Sequence, residues 1–182
     1  MESVKIGDYE RADRKLVRKC HIFDFYEDTL INPEGKTVYY DHIQHKGAAA
    51  VIPVMNDGRI LMVKQFRNSL DRYTLEIPAG GRDSETEDFK IAAARELEEE
   101  TGYKSDQLEH LIKITTAVAY CSEIIEVYVA TDLKPSKQHL DDNEFIDVYP
   151  YALDELIEMI YSGEISDSKT VSSLLAYKLK YK

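Results

Sequence analysis

The sequence predicts an α/β sandwich built on mixed β-sheets. Three observations carry that expectation. Alternating and continuous apolar segments between His21 and Ile77 read as strands, and a glutamate-rich helix follows them. Alternating segments return between Leu108 and Tyr149. Helical spacing then holds to Tyr181. Strands, helix, strands and helices in that order fit a sandwich with mixed sheets better than a doubly wound parallel fold.

The elements follow in chain order. His21 to Leu30 alternates weakly and predicts a strand. Asn32-Pro33-Glu34-Gly35 marks a turn, and Lys36 to Gln44 alternates again, so the N-terminal part reads as a β-hairpin. A link at His45-Lys46-Gly47 leads to Ala48–Met55, an apolar run expected to be a buried strand. Asn56-Asp57-Gly58 is a hairpin turn, and Arg59 to Phe66 is the partner strand. Tyr73 to Ile77 is a short strand entering a Pro-Ala-Gly-Gly loop. The helix after it starts near Ser84 or Thr86, either of which can cap it, and ends at Gly102 in the left-handed position. Leu108–Ala117, Glu123–Thr131 and Glu144–Tyr149 are further strands. Ala152–Ser162 is a helix with Leu153, Leu156, Ile157 and Ile160 on one side. Ser166–Tyr181 is the last helix, capped by Ser166 or Asp167. A two-stranded hairpin does not stand alone in water.

Composition narrows the function. The chain has 182 residues, 43% of them hydrophobic and 31% charged, which fits one soluble globular domain. A formal net charge of -11 repels nucleic-acid backbones, so no nucleic-acid partner is expected. It also repels free nucleotides, so a phosphate substrate needs cations or local Arg and Lys. No apolar span long enough for a membrane occurs, and Met1 to Lys19 has no apolar signal region. Cys20 and Cys121 lie far apart, form no disulfide framework and fit a reduced, cytoplasmic setting. Cys121 reads as a small buried residue. His42 and His45 would point to opposite faces of a strand and read as surface histidines.

The chemistry concentrates on one helix. Glu96, Glu98, Glu99 and Glu100 crowd its last turns, where the macrodipole disfavours negative charge by roughly 0.3–1 kcal/mol each. No Lys or Arg follows Arg95 before Lys104. Glu96, Glu99 and Glu100 fall within about a 100° arc, and Glu96 and Glu100 repel one another as an i, i+4 pair. A hard, oxygen-seeking ion such as Mg²⁺, with Mn²⁺ as a substitute, would reverse that repulsion. Phe89, Ala93 and Leu97 form the neighbouring apolar row that anchors the helix.

The run from Gly81 to Tyr103 resembles the Nudix box, Gly-x5-Glu-x7-Arg-Glu-U-x-Glu-Glu-x-Gly-U with U a bulky apolar residue. Gly81, Glu87, Arg95, Glu96, Glu99, Glu100 and Gly102 fill its fixed positions, and Leu97 and Tyr103 take the U positions. The flanks resemble the ADP-ribose pyrophosphatase branch and related nucleoside diphosphate sugar hydrolases. Val63-Lys64-Gln65-Phe66-Arg67 looks like its strand ending in Gln-aromatic-Arg. Leu75-Glu76-Ile77-Pro78-Ala79-Gly80-Gly81 looks like its entry into the box. Ser122-Glu123-Ile124-Ile125 and Leu140–Ile146 also match that branch.

The resemblance implies the Nudix α/β/α sandwich, with residues 47–182 as the hydrolase domain and residues 1–46 as a dimerisation element. It implies a homodimer and hydrolysis of a phosphoanhydride bond, ADP-ribose to AMP and ribose 5-phosphate in the first instance. A GDP-sugar, a dinucleoside polyphosphate or a nucleotide-sensing module without turnover are the alternatives. Glu96, Glu100 and the Gly80 carbonyl are the expected metal ligands. Glu99 joins the catalytic set with Glu144, the general base, for which neighbouring acids are alternatives. Arg67 is expected to grip a phosphate, Glu76 to face the same site and Tyr40 to stack on a base. Glu87 and Arg95 are expected to brace loop and helix, and Gly81 and Gly102 to serve the backbone. Two departures bear on substrate choice. Val118-Ala119-Tyr120 replaces Ser-Pro-Gly, and Tyr40-Asp41 replaces Arg-Glu.

Overall fold

The computed structural model describes residues 3–141 and 144–182, and Asp142 and Asn143 of the acidic segment lie outside the described residues. Two compact units emerge, Met1–Gly47 with Thr115–Ile124, and Ala48–Ile114 with Ile125–Lys182.

The first unit carries a four-stranded antiparallel sheet in the order β1 (Val4–Ile6), β2 (Tyr9–Lys19), β3 (Asp24–Ile31), β4 (Thr37–Gln44). The hairpin expected from the sequence is β3 and β4, in register from Asp24↔Gln44 to Ile31↔Thr37. It is not the whole element, because two strands precede it. The charged run of β2 hides its strand character, and cross-strand charge pairing supplies it. Arg14 forks onto Asp28 of β3 through Nε and Nη2, both at 2.6 Å. Those bonds hold the buried Asp28 carboxyl below its ordinary range despite its burial. Asn32 closes the turn by accepting from the Glu34 and Lys36 amides. The 115–124 segment joins this unit where the Ile43 amide donates to the Tyr120 carbonyl and the Ser122 amide to that of Ile43. His42 bonds Gln44, whereas His45 lies past the end of β4 and faces Glu123.

The second unit contains β5 (Ala48–Pro53), β6 (Ile60–Arg67), β7 (Arg72–Glu76), β8 (Ala79–Gly81), α1 (Phe89–Thr101), β9 (Tyr103–Lys104), β10 (Gln107–Thr115), β11 (Ile124–Thr131), β12 (Lys134–Pro135), β13 (Ile146–Tyr151), α2 (Leu153–Ser162) and α3 (Ser168–Tyr181). One sheet runs β10-β11-β5-β8 and is mixed: β11 is parallel to β5 and β8 antiparallel to it. A second, antiparallel sheet runs β13-β6-β7. The expected mixed-sheet α/β architecture is present.

Period-2 alternation on β5 and β11 builds the layers. Ala49, Val51, Tyr128 and Ala130 pack against Ala92, Ala93 and Leu97 of α1. Ala48, Ala50, Ile52, Val127 and Val129 face the other way, onto Ile60, Met62, Leu75, Leu156 and Leu174. All six β5 residues are therefore buried. Each fully buried Leu or Ile in these layers contributes about 1.5–3 kcal/mol of transfer free energy.

Local chemistry sets the ends of α1. Its N-cap is Asp88, not Ser84 or Thr86: Oδ1 accepts from the Lys90 amide at 2.8 Å and from the Ile91 amide at 3.4 Å. Ser84 instead accepts from the Glu87 amide and closes the preceding loop. Gly102 ends the helix with φ 70° and donates its amide to the Glu98 carbonyl. Residues 79–81, expected as loop, are extended because β8 pairs with β5 from Ala48↔Gly81 to Ala50↔Ala79. Asp167 caps α3. Among the described residues no helix is long and apolar enough to cross a membrane.

Candidate active site on the first helix and its flanking strands

The apolar row of α1 seats on the mixed sheet, and that packing turns Glu96 and Glu100 inward toward β8. Both carboxylates are buried. Glu100 Oε2 accepts from the Ala79 amide at 3.0 Å. The Glu96 carboxylate lies over Gly80, where an added Cβ would meet its oxygens and Cδ at 2.2–2.4 Å. Any side chain there would displace the Glu96 carboxylate, and the close approach puts β8 backbone beside both acids. Glu99, one residue round the helix, is partly exposed.

Arg95 organises the outer edge. Its Nη1 donates to Glu96 Oε1 at 2.7 Å and to Glu99 Oε2 at 2.9 Å, and its Nη2 donates to the Gly81 carbonyl at 2.9 Å. Its Nε reaches Glu87 Oε1 at 3.4 Å. Loop, strand and helix are thus pinned by one guanidinium. Burial opposes the Arg95 charge, and Glu96, Glu87 and Glu99 outweigh it, so its pKa rises.

Burial disfavours the charge on both inward acids despite these partners. Burial pushes the Glu96 carboxyl up to about 7, with Arg95 opposing and the Glu99 and Glu144 charges adding. Burial pushes Glu100 up to about 8, and Glu96 and Glu144 add to that. Glu144 accepts from the Asp141 amide at 3.3 Å. Among the described residues no three acidic, histidine or cysteine side chains already converge as a ready-made ion cage. The donor set nonetheless fits a divalent cation. Glu96 and Glu100 supply hard oxygens, their mutual repulsion calls for positive charge, and Gly80 leaves room for a backbone carbonyl to approach.

A second charged group lies on β6 and β7. Arg67 forks onto Glu76, Nε to Oε1 at 2.7 Å and Nη2 to Oε2 at 2.6 Å. Thr74 Oγ1 also donates to Oε1 at 2.6 Å, and Lys169 of α3 donates to Oε2. Burial works against the Glu76 charge, but these partners hold its carboxyl down to about 2. Both Glu76 oxygens are thus taken, whereas Arg67 is partly exposed and feels the Glu100 charge. Tyr40 belongs to the other unit, exposed on β4.

A family model described as the NUDIX domain matches residues 44–174. The chain belongs to the Nudix family. It is similar to a methanol dehydrogenase activator of Bacillus methanolicus, 41% identical over 155 residues that span 84% of this chain and 83% of that protein. An ADP-ribose pyrophosphatase of Bacillus subtilis (strain 168) is 35% identical over 175 residues, 92% of this chain and 94% of that one. Among solved structures, a crystal structure of ADP compounds hydrolase shares the fold, with a TM-score of 0.84 at 21% identity over 97% of this chain and 96% of that chain.

The chain is a Nudix hydrolase, and enzymes of this family generally use divalent metal ions. The Nudix box supplies Glu96, Glu99, Glu100, Glu87, Arg95, Gly81 and Gly102, which the fold gathers along α1 and β8. Arg67 and Glu76 arrive from the adjoining strands. Sequence reading missed Lys169, whose partner Glu76 is 93 residues away. It missed Thr74 too, although its two-residue spacing from Glu76 on one strand placed both side chains on one face.

Proposed function

We propose that this Nudix hydrolase cleaves the pyrophosphate bond of a nucleoside diphosphate sugar, with ADP-ribose giving AMP and ribose 5-phosphate as the leading case. One observation carries the reading: Glu96 and Glu100 are buried one helical turn apart beside Gly80, in a chain 35% identical to an ADP-ribose pyrophosphatase.

Glu96, Glu100 and the Gly80 carbonyl would hold the cation, Mg²⁺ or in its place Mn²⁺. When bound it supplies Lewis-acid neutralisation of the phosphate oxygens. The protein's own groups do the rest. Arg67 grips a phosphate oxygen with the edge of its guanidinium that Glu76 leaves open. Glu76 holds that guanidinium in place. Glu144 accepts a proton from the attacking water, and Glu99 supports the water from the helix edge. Arg95 and Glu87 keep the Gly81 backbone fixed against α1. Residues 1–46 serve as the dimerisation element of a homodimer, and Tyr40 stacks on the base. The enzyme acts in the cytoplasm on a small molecule, without a nucleic-acid or membrane partner.

A hydrolysis screen with Mg²⁺ across ADP-ribose, GDP-mannose, NADH and dinucleoside polyphosphates tests this. The highest kcat/KM is expected for ADP-ribose. Turnover of none of them would refute the catalytic reading. A second reading has one observation in its favour, the 41% identical relative named as a methanol dehydrogenase activator. On that reading, adding the chain to a methanol dehydrogenase raises the dehydrogenase rate.

A further inference from the structure

Lys169 enters no part of that scheme, yet it is the most deeply placed cation near the site. It sits in the first turn of α3 and is 8% exposed. Its Nζ donates to Glu76 Oε2 and, at 2.8 Å, to Asp167 Oδ2. Burying a lysine is costly unless its charge is answered, and Glu76 answers it. The consequence for Arg67 is electrostatic. Arg67 and Glu76 alone would form a neutral pair with little attraction left for an anion. Lys169 adds a positive charge on the hidden side of Glu76, so the Glu76 charge is shared and does not fall on Arg67 alone.

The geometry divides the labour the same way. The Lys169 and Glu76 side chains are 10% and 3% exposed, whereas Arg67 is 38% exposed. Arg67 alone of the three can reach a ligand. Asp167 pairs with Lys169 as well and its charge reaches Arg67, so the four groups together are neutral, and without Lys169 the Arg67 guanidinium would face both carboxylates alone. The same groups line an open cavity of about 390 Å³ with Arg72 and Ser166, which are joined by a 2.8 Å hydrogen bond. Arg72 brings a further positive charge to its rim. The charge of Lys169 also reaches Glu100, which ties this cluster to the α1 acids.

We propose that Lys169 is a positioning residue for the hydrolysis: by neutralising Glu76 from behind, it leaves the Arg67 guanidinium free to bind the substrate's pyrophosphate. The inference rests on the hydrolase reading above. Its role lies in substrate affinity and not in the bond-breaking step. A weakened charge-assisted hydrogen bond to phosphate raises KM by about tenfold and leaves kcat nearly unchanged.

The test is steady-state hydrolysis of ADP-ribose at saturating Mg²⁺ with Lys169→Met, Lys169→Gln and Lys169→Arg. Lys169→Met should raise KM about tenfold with kcat within about threefold of wild type. Lys169→Arg should keep the wild-type KM. Lys169→Gln keeps a donor for Glu76 without the charge and should raise KM as Lys169→Met does. If Lys169→Met does not fold, Lys169→Gln decides, since its amide can still donate to the Glu76 carboxylate. An unchanged KM in Lys169→Met or Lys169→Gln, or a KM in Lys169→Arg raised as in the uncharged variants, overturns the positioning role while the hydrolase reading stands. A wild-type protein that turns over no nucleoside diphosphate sugar overturns both.

Discussion

Gly80 and Gly81 are neighbours on β8, and only one of them is crowded. A Cβ on Gly80 would lie 2.2 Å from Glu96 Oε1, 2.3 Å from Cδ and 2.4 Å from Oε2, whereas a Cβ on Gly81 meets nothing within 4 Å. Ordinary contact begins near 3.4 Å, so Gly80→Ala must push the Glu96 carboxylate aside by about 1 Å. The displaced group is the far end of a flexible side chain, so the fold survives. Alanine is also worth roughly 0.5–1 kcal/mol over glycine in a strand, which offsets part of the cost. The net stability change should stay below about 1 kcal/mol. Catalysis should suffer far more. A misplacement of about 1 Å in an active-site group costs about 10²-fold in rate, or about 2.7 kcal/mol in activation free energy. The assay is kcat/KM for ADP-ribose across a Mg²⁺ titration, with thermal unfolding alongside. Gly80→Ala should lose about 10²-fold and need more Mg²⁺, while Gly81→Ala stays within about threefold. Wild-type activity in Gly80→Ala, or equal loss in Gly81→Ala, would refute the argument that the Glu96 carboxylate must occupy that cradle.

Three further predictions concern single carboxylates. Glu100→Gln should lower turnover by at least about 10³-fold while unfolding no earlier than wild type, because burial already disfavours the Glu100 charge and the amide can still accept from Ala79; calorimetry and initial rates check both halves. Glu144→Gln should reduce kcat by on the order of 10²–10⁴ if Glu144 takes the proton, and a change under tenfold moves that role to another acid. Glu76 should make folding pH-dependent. Its carboxyl is held at about 2 against an ordinary 4.5, so its stabilisation is complete above pH 4.5 and is lost as pH falls toward 2. That shift is worth about 3 kcal/mol, so urea titrations from pH 5 to pH 2 should show wild type losing about that much more than Glu76→Gln. Parallel pH profiles for the two proteins would contradict it.

The core was legible because its pattern is strong and local. The apolar Ala48–Met55 run was expected to be a buried strand, and Ala48–Pro53 of it forms β5. The glutamates of α1 were legible because their spacing is fixed along one helix. What stayed hidden depends on partners distant in sequence. Nothing in Tyr9–Lys19 reads as a strand until Arg14 meets Asp28 across the sheet. The 79–81 segment is extended only because β5 lies beside it. Ser84, Thr86 and Asp88 are all competent caps, and tertiary packing, which starts the helix at Phe89, chooses among them. Lys169 carries no local mark of function, and its meaning comes from Glu76 on another element.

Diffraction at the manganese edge from an Mn²⁺-soaked crystal tests the central claim most directly. An anomalous peak ligated by the Glu96 and Glu100 carboxylates and the Gly80 carbonyl is the predicted result. A peak elsewhere in crystals of turnover-competent protein, with Glu96 still on Arg95 and Glu100 still on Ala79, would contradict it.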